Sequence, residues 1–303
     1  MPRGKQGVRR QVITAAHAGQ RFDRVLADLW PDVSRSLWQS AIRDGQVLLD
    51  GAVASVSEKP VTGSVIDVLT VPRLAEAELI ATHMPQVLYE DSDVIVFDKP
   101  AGLITHPKPG KAEPSLAGVV KDMVDDTDAL RPGIVHRLDK DTSGVVIIAK
   151  HEVAKDQLQT AFRARAVGKV YWALVWGELG RGVQRLRFGL ARSSQHPGRV
   201  EIDPLGRPAE TLVSQISAGP QIALVEARPR TGRTHQIRVH LAAIQHPILG
   251  DHVYGRKDDV PRQMLHAREL TLTLPSGIKK TFVSQLPDDF RATMKRYQCQ
   301  LPE

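Results

Sequence analysis

A run of five apolar residues at positions 145–149, Val-Val-Ile-Ile-Ala, directly follows a short loop that is rich in charged side chains. The loop, residues 133–144, reads Gly-Ile-Val-His-Arg-Leu-Asp-Lys-Asp-Thr-Ser-Gly. The apolar run predicts a fully buried strand. Because a buried strand holds an attached polar loop rigid while the loop faces solvent, we expect the chemistry of this chain to lie in residues 133–144.

The strand and helix patterns indicate the fold class. The chain has 303 residues and is 42% hydrophobic, which is enough for one large domain and a small one. Predicted strands outnumber helices, and short turns join several neighbouring strands. This pattern favours an α+β domain with a mixed, largely antiparallel sheet and helices packed on it. We expect strands at 87–90, 94–97, 145–149, 171–176, 211–216, 222–227, 270–274 and 281–283, and helices at 154–165 and 235–245.

Charge and composition narrow the function classes. The net charge is +7, and a basic chain of this size is either an ordinary soluble protein or one that binds a polyanion, most often nucleic acid. The one cysteine, Cys299, cannot form an internal disulfide or a thiolate metal cluster. The first residues lack the apolar core of a signal peptide, and no apolar run reaches membrane-spanning length. These features predict a cytoplasmic protein with no membrane partner.

The chain divides into four predicted regions. Residues 1–12 are basic, with no acid among the first ten, and predict a mobile arm. Residues 13–72 read as a small α/β unit with two helices, a hairpin at Asp50-Gly51 and a closing strand, the second helix beginning after Ser34. Residues 73–86 read as a linker, and residues 87–303 as one large domain.

Nucleotide-cofactor and metal motifs are missing from the sequence. The Gly110-Lys111-Ala112 segment lacks the spacing of a P-loop, and no strand is followed by a G-x-G-x-x-G turn. His235 and His240 are five residues apart, which is poor spacing for metal ligands on one helical face. We therefore expect a protein without cofactor or metal.

Two further segments carry side chains that are suited to anion binding or catalysis. Residues 230–240 hold three arginines and two histidines and open a predicted helix. They predict either an anion site at a helix N-terminus or an arginine that pairs with a catalytic carboxylate, and spacing alone does not choose between these. Tyr171 lies on a predicted strand, where the pattern taken alone favours a core tyrosine with a hydrogen-bonded hydroxyl over a catalytic one.

Taken together, several segments resemble the RluA/RluD-type pseudouridine synthases. The most specific are the His-Arg-Leu-Asp-x-x-Thr-Ser-Gly loop at 136–144 and Gly-Arg-Thr-His-Gln-Ile-Arg at 232–238. The supporting segments are residues 98–103 with 106–107, 169–173, 246–251 with 254–255, and 265–267. The helix, helix, hairpin order of residues 13–72 resembles the alpha-L RNA-binding domain of a ribosomal small-subunit protein, which is also appended to RNA-modifying enzymes.

The resemblance implies an isomerase that converts uridine in structured RNA to pseudouridine without a cofactor. Asp139 matches the essential aspartate, which must be ionised either to attack the ribose anomeric carbon or to remove the 2′ proton. Arg238 matches its basic partner. Tyr171 matches a tyrosine that stacks on the target base and is a candidate for removing the carbon-5 proton.

The resemblance also implies the substrate contacts. Leu265 matches a residue lining the uracil pocket, and Arg137 matches one that occupies or braces the gap left by the flipped nucleotide. The other residues assigned to substrate binding are His136, Arg233, His235 and Gln236.

By analogy with family members that carry the appended domain, the implied partner is 23S ribosomal RNA or a ribosome-assembly intermediate, bound by a monomer. Two alternatives are a non-catalytic RNA-binding ribosome-assembly factor, which would bind without isomerisation, and a hydrolase, which would release uracil. The presence of Asp139, Tyr171 and Arg238 together argues against the assembly factor as the sole role.

Overall fold

The computed structural model describes residues 9–31, 33, 35–69, 84–107, 113–128 and 131–301. The chain divides into two compact units, one of Met1–Met84 with Pro107–Ser115 and one of Pro85–His106 with Leu116–Glu303. Residues 1–8 of the predicted arm, the predicted cap Ser34, and residues 73–83 of the predicted linker lie outside the described residues. Within the described part of the chain, no helix has both the length and the apolar character needed to span a bilayer.

The first unit packs two helices on a small antiparallel sheet. Its elements are β1 Arg9–Val12, α1 Phe22–Leu29, α2 Arg35–Arg43, β2 Val47–Leu49, β3 Ala52–Val53 and β4 Val65–Val68, with strand order β1-β4-β2-β3. The apolar faces of both helices meet the sheet, and Phe22, Trp38 and Ile66 are fully buried there. Residues Arg9–Val12, which the sequence assigned to the mobile arm, are a strand because all four pair with β4.

A buried carboxylate joins the two helices of the first unit. Asp23 accepts hydrogen bonds from Arg21, Arg35 and Gln39, at 3.1, 2.9 and 2.6 Å. Burial raises the pKa of this carboxyl, but the hydrogen bonds outweigh it and lower the pKa to about 2.

Asp23 should therefore make the first unit acid-sensitive. A depressed carboxyl pKa adds stability that is complete above about pH 4 and is lost as the pH falls through 2. We expect Asp23→Asn to lower the melting temperature at pH 7 and to differ little from the parent at pH 2. Thermal melts of both proteins between pH 2 and 7 measure this, and equal differences at the two ends would contradict it.

The second unit is built on one large sheet. In the described residues its strands are β5 Gln86–Glu90, β6 Val94–Lys99, β7 Ser143–Ala149, β8 Gly168–Trp176, β9 Val183–Arg192, β10 Val200–Ile202, β11 Arg207–Ala218, β12 Ile222–Pro229, β13 Leu265–Thr273 and β14 Lys279–Val283. The strand order is β10-β9-β11-β12-β8-β13-β7-β6-β5, and β14 pairs with β13. The helices are α3 Leu116–Val120, α4 Glu152–Arg163, α5 Gln236–Ala243 and α6 Asp288–Arg296.

The topology positions the loop identified in the sequence. Strand β13 pairs in parallel with β7 and antiparallel with β8, and the other described pairings of this sheet are antiparallel. All seven residues of β7 are buried, which confirms the buried strand expected at 145–149. The start of β7 therefore lies inside the sheet, beside the start of β13, which separates it from β8. The mixed, largely antiparallel sheet confirms the predicted α+β class.

Candidate active site

Backbone carbonyls of the loop before β7 are held by side chains from other parts of the unit. The Thr105 hydroxyl donates to the carbonyl of Leu138 at 2.9 Å and accepts from its N–H at 3.1 Å. Arg262 Nη1 donates to the carbonyl of Asp141 at 3.1 Å. Gln263 Nε2 donates to Thr142 Oγ1 at 2.8 Å. These contacts fix the backbone on both sides of residue 139 before any substrate binds.

A fully buried lysine completes this bracing. Lys99 Nζ donates to the carbonyls of Pro100, Leu103 and Lys140 at 2.8, 2.8 and 3.1 Å. Burial lowers the pKa of Lys99 to about 7, whereas three carbonyl acceptors match the three donors of its protonated form. Lys99 thus ties the end of β6 to the loop that carries Asp139.

Gly144 allows the loop to join the sheet. Its φ is +112°, a conformation that side-chain-bearing residues rarely adopt. A Cβ atom at this position would collide with the backbone of Ala267 on β13. Residue 144 must therefore be glycine for β7 and β13 to start side by side.

The carboxylate of Asp139 lies next to a buried arginine. Arg238 Nη1, from α5, is 3.2 Å from Asp139 Oδ2, and the Asp139 side chain is 18% exposed. The same guanidinium makes a bidentate pair with Asp251, with Nε–Oδ2 2.7 Å and Nη2–Oδ1 2.8 Å. Asp251 is thus the stronger partner of Arg238, and it leaves one guanidinium nitrogen directed at Asp139.

Charge stabilises the Arg238–Asp251 pair. Burial acts against the charged form of both groups, but their mutual contact raises the pKa of Arg238 and lowers the pKa of Asp251. Asp251 also accepts backbone hydrogen bonds from Val253 and Tyr254. The guanidinium is therefore a fixed positive charge, oriented before substrate arrives.

His235 faces the other oxygen of Asp139. Its Nε2 is 4.0 Å from Asp139 Oδ1, and its Nδ1 is hydrogen-bonded to the Tyr254 hydroxyl at 2.9 Å. Because that hydroxyl already accepts from the Val200 N–H, its proton is available to His235 Nδ1. Burial, which outweighs the nearby Asp139 charge, lowers the pKa of His235, so the neutral ring presents an N–H on Nε2 to Asp139.

Residues from three parts of the chain line the cavity in front of Asp139. This cavity has a volume of about 120 Å³, and its walls include Tyr171 of β8, Leu265 of β13 and residues 231–238. Burial, and secondly the Asp139 charge, raises the pKa of Tyr171, so its hydroxyl keeps its proton at neutral pH. The structure brings together Asp139, Tyr171, Arg238 and Leu265, as the sequence predicted.

Two residues predicted to bind substrate also make contacts inside the protein. His136 Nε2 accepts the Ile147 N–H at 3.1 Å, and its ring stacks on Phe162 with centroids 4.7 Å apart. Burial lowers the pKa of His136 to about 3. The Gln236 amide accepts from Thr231 Oγ1 and the Arg233 N–H and donates to the Glu210 carbonyl and Thr211 Oγ1. Both side chains brace the cavity walls.

Arg137 and Arg233 remain accessible at the cavity. Arg137 is exposed, and Arg233 is half-buried with Nε donating to the Pro208 carbonyl at 3.3 Å. Sequence reasoning did not assign a role to Asp251 or Tyr254, although both lie in the matched motifs. The available signal in the sequence was an aspartate in a matched segment, 13 residues after Arg238.

Comparison with known proteins identifies the family. Residues 93–243 match the family model described as RNA pseudouridylate synthase. An uncharacterized RNA pseudouridine synthase of Chloroflexus aurantiacus is 39% identical over 298 residues, which cover 95% of this chain and 93% of the relative. This chain belongs to the RNA pseudouridine synthase family. The ribosomal large subunit pseudouridine synthase D of Nitrosomonas europaea is 38% identical and is aligned over 92% of this chain and 84% of its own length.

A solved structure supports the assignment of this chain to the pseudouridine synthase family. Human RNA Pseudouridylate Synthase Domain Containing 4 superposes with a TM-score of 0.60 and 26% identity, over 76% of this chain and all of that chain. The sequence-based assignment to the RluA/RluD type is therefore confirmed, and the protein is an RNA-modifying isomerase.

Proposed function

We propose that this synthase isomerises specific uridines in large-subunit ribosomal RNA and that Asp139 is the group that reacts at the ribose. Relatives named ribosomal large subunit pseudouridine synthase D, from Nitrosomonas europaea and Pseudomonas aeruginosa, match 92% and 90% of this chain and support the choice of RNA. The observation that carries the role of Asp139 is its position in the cavity, 3.2 Å from the buried guanidinium of Arg238. That contact sets a fixed positive charge beside the carboxyl group that would act, by attack at the anomeric carbon or by removal of the 2′ proton.

The position of Asp139 inside a cavity bears on how the uridine reaches it. The walls of this cavity are β8, β13 and the 231–238 segment, so a ribose must leave its helical stack to bring its carbon atoms to Asp139. The target nucleotide therefore flips out of its stack, with Arg137 at the rim to fill the gap. Arg233 and His235 contact the flipped nucleotide from the opposite wall.

Tyr171 acts in its neutral form in this proposal. Burial raises the pKa of its hydroxyl, so a phenolate is not available at neutral pH to remove the carbon-5 proton. The ring is a stacking surface for the detached uracil, and its hydroxyl donates a hydrogen bond. Stacking on the ring would keep the base in the pocket while it rotates.

The first unit supplies further RNA contacts. Arg21 and Arg35 are tied to Asp23, whereas Arg24 and Arg43 are exposed on α1 and α2. We expect the double variant Arg24→Gln, Arg43→Gln to weaken RNA binding and to reduce the slope of log K against log salt by about 1.5, since each lost phosphate contact removes about 0.7–0.9. Filter binding across a salt series measures the slope. An unchanged slope would contradict a phosphate-binding role for these helices, and single-turnover rates at saturating RNA serve as control.

Pseudouridine mapping tests the RNA target. Ribosomal RNA from cells with the gene, without it, and without it but carrying the Asp139→Asn variant is compared at every uridine. We expect large-subunit positions that lose pseudouridine on deletion and are not restored by the variant. If Asp139→Asn restores pseudouridine at those positions, the result would favour a non-catalytic assembly factor. Release of free uracil would favour a hydrolase.

Cytoplasmic location and a monomeric state stay predictions from the sequence.

A further inference from the structure

A basic groove adjoins the cavity that holds Asp139. It has a volume of about 530 Å³ and lies between the end of α4, strand β8 and the loop after β12. Six cationic side chains line it: Arg137, Arg163, Arg165, Lys169, Arg230 and Arg233. The described lining contains no aspartate or glutamate, so the groove is complementary to an anion along its whole length.

The ion pairs of the rest of the unit make this groove unusual. Arg185 and Arg187 share Glu210, and Arg262 pairs with Asp289. By contrast, within the described part of the chain none of the six groove cations has a carboxylate oxygen within 4.0 Å. The six cations of the groove are therefore not neutralised by carboxylates of the described residues.

Lys169 is half-buried, whereas Arg137, Arg163, Arg165 and Arg230 are exposed. Its Nζ has one long hydrogen bond, to the Thr231 carbonyl at 3.4 Å. Burial lowers the pKa of Lys169, and the neighbouring Arg165 lowers it further. Holding an ammonium among cations in a half-buried site is unfavourable unless an anion enters, since a buried charge requires a partner.

Lys169 lies close to the residues that would hold the target uridine. Lys169 and Tyr171 are two residues apart on β8, so their side chains leave the same face of the strand, about 7 Å apart. Both line the cavity of Asp139 and the basic groove. An anion on Lys169 therefore lies about one nucleotide from a base that is stacked on Tyr171.

We propose that Lys169 binds one phosphodiester of the RNA strand next to the flipped uridine, with the five groove arginines guiding the flanking backbone. This inference rests on the proposed function, because the phosphate belongs to the RNA whose uridine enters the cavity. Lys169 replaces the hydration of that phosphate and sets the register of the strand, so that the ribose arrives at Asp139.

The test compares Lys169→Gln with Lys169→Arg, using a short synthetic RNA hairpin whose loop uridine the wild-type enzyme converts. Binding is measured in the Asp139→Asn background, so that no turnover occurs. We expect Lys169→Gln to raise Kd about tenfold to a hundredfold and to lower the salt slope by about 0.7–0.9. Lys169→Arg, which keeps the charge, should recover most of the affinity and of the salt slope. The exposed Lys279 on β14 provides the control variant Lys279→Gln, which should leave both quantities unchanged.

A neutral methylphosphonate at one RNA position tests the contact itself. At the phosphate that Lys169 binds, the substitution should weaken RNA binding by the parent protein and leave RNA binding by Lys169→Gln unchanged, because the two changes remove the same interaction. An unchanged Kd and salt slope in Lys169→Gln would overturn the proposal. So would normal affinity with a lost single-turnover rate in both Lys169 variants, since that indicates proton transfer. Failure of the wild-type enzyme to convert any RNA would instead contradict the proposed function.

Discussion

Replacing Asp139 by asparagine is expected to abolish isomerisation while leaving fold and RNA affinity intact. Asparagine keeps the shape of the side chain but cannot act as a nucleophile or a base, so we expect single-turnover rates to fall by on the order of 10⁴-fold or more. Stability should change by less than about 1 kcal/mol, because Arg238 keeps its bidentate contact with Asp251. Tritium release from RNA labelled at uridine carbon 5 measures the rate, and thermal melts measure the stability.

The neighbouring carboxylate gives a matched control. Asp141 is in the same loop, two residues further on, and does not line the cavity of Asp139. Asp141→Asn removes the same charge from the loop and should keep most of the turnover. Normal tritium release from Asp139→Asn, or an equal loss of turnover in the two variants, would contradict the proposed role of Asp139.

Breaking the Arg238–Asp251 pair should harm both stability and turnover. Arg238→Met leaves the Asp251 carboxylate fully buried with only backbone donors. Removing one partner of a buried ion pair costs about 3–5 kcal/mol, which should lower the melting temperature by about 10 °C in a unit of this size. Turnover should fall as well, since Asp139 loses its positively charged neighbour. Differential scanning calorimetry and single-turnover rates measure the two effects.

A double variant separates the two roles of Arg238. Arg238→Met combined with Asp251→Leu replaces the pair by apolar side chains of similar volume, an exchange that is often neutral for stability. We expect the double variant to regain most of the stability lost in Arg238→Met and none of the turnover. Recovery of turnover together with stability would show that Arg238 acts only on the fold.

Local patterns predicted the strand behind the site, and the family resemblance supplied the residues that meet in front of it. The apolar run at 145–149 predicted the buried strand that holds the loop, and matched motifs joined Asp139 to Arg238 although they are 99 residues apart. The helices expected at 154–165 and 235–245 are found at Glu152–Arg163 and Gln236–Ala243. These features depend on hydrophobic periodicity and on short motifs, which a sequence displays directly.

Features that depend on tertiary pairing were missed. Strand β9 was not predicted, although Leu186, Phe188 and Leu190 alternate with Arg187 and Gly189 as strand residues do, and it pairs with β10 and β11. Arg9–Val12 shows no apolar alternation and forms a strand through its pairing with β4. A motif cannot show which polar side chains make internal contacts, so the hydrogen bonds of His136 and Gln236 and the contact of Asp251 with Arg238 were not foreseen.

A structure of Asp139→Asn bound to a uridine-containing RNA hairpin that the wild-type enzyme modifies tests the account most directly. We expect one uridine to be flipped out of the loop, with its anomeric carbon or 2′ carbon within about 3.5 Å of the residue-139 side chain and its base against Tyr171 and Leu265. An RNA that binds with its target uridine still stacked, or with the ribose remote from residue 139, would contradict the claim that this carboxylate acts on the sugar.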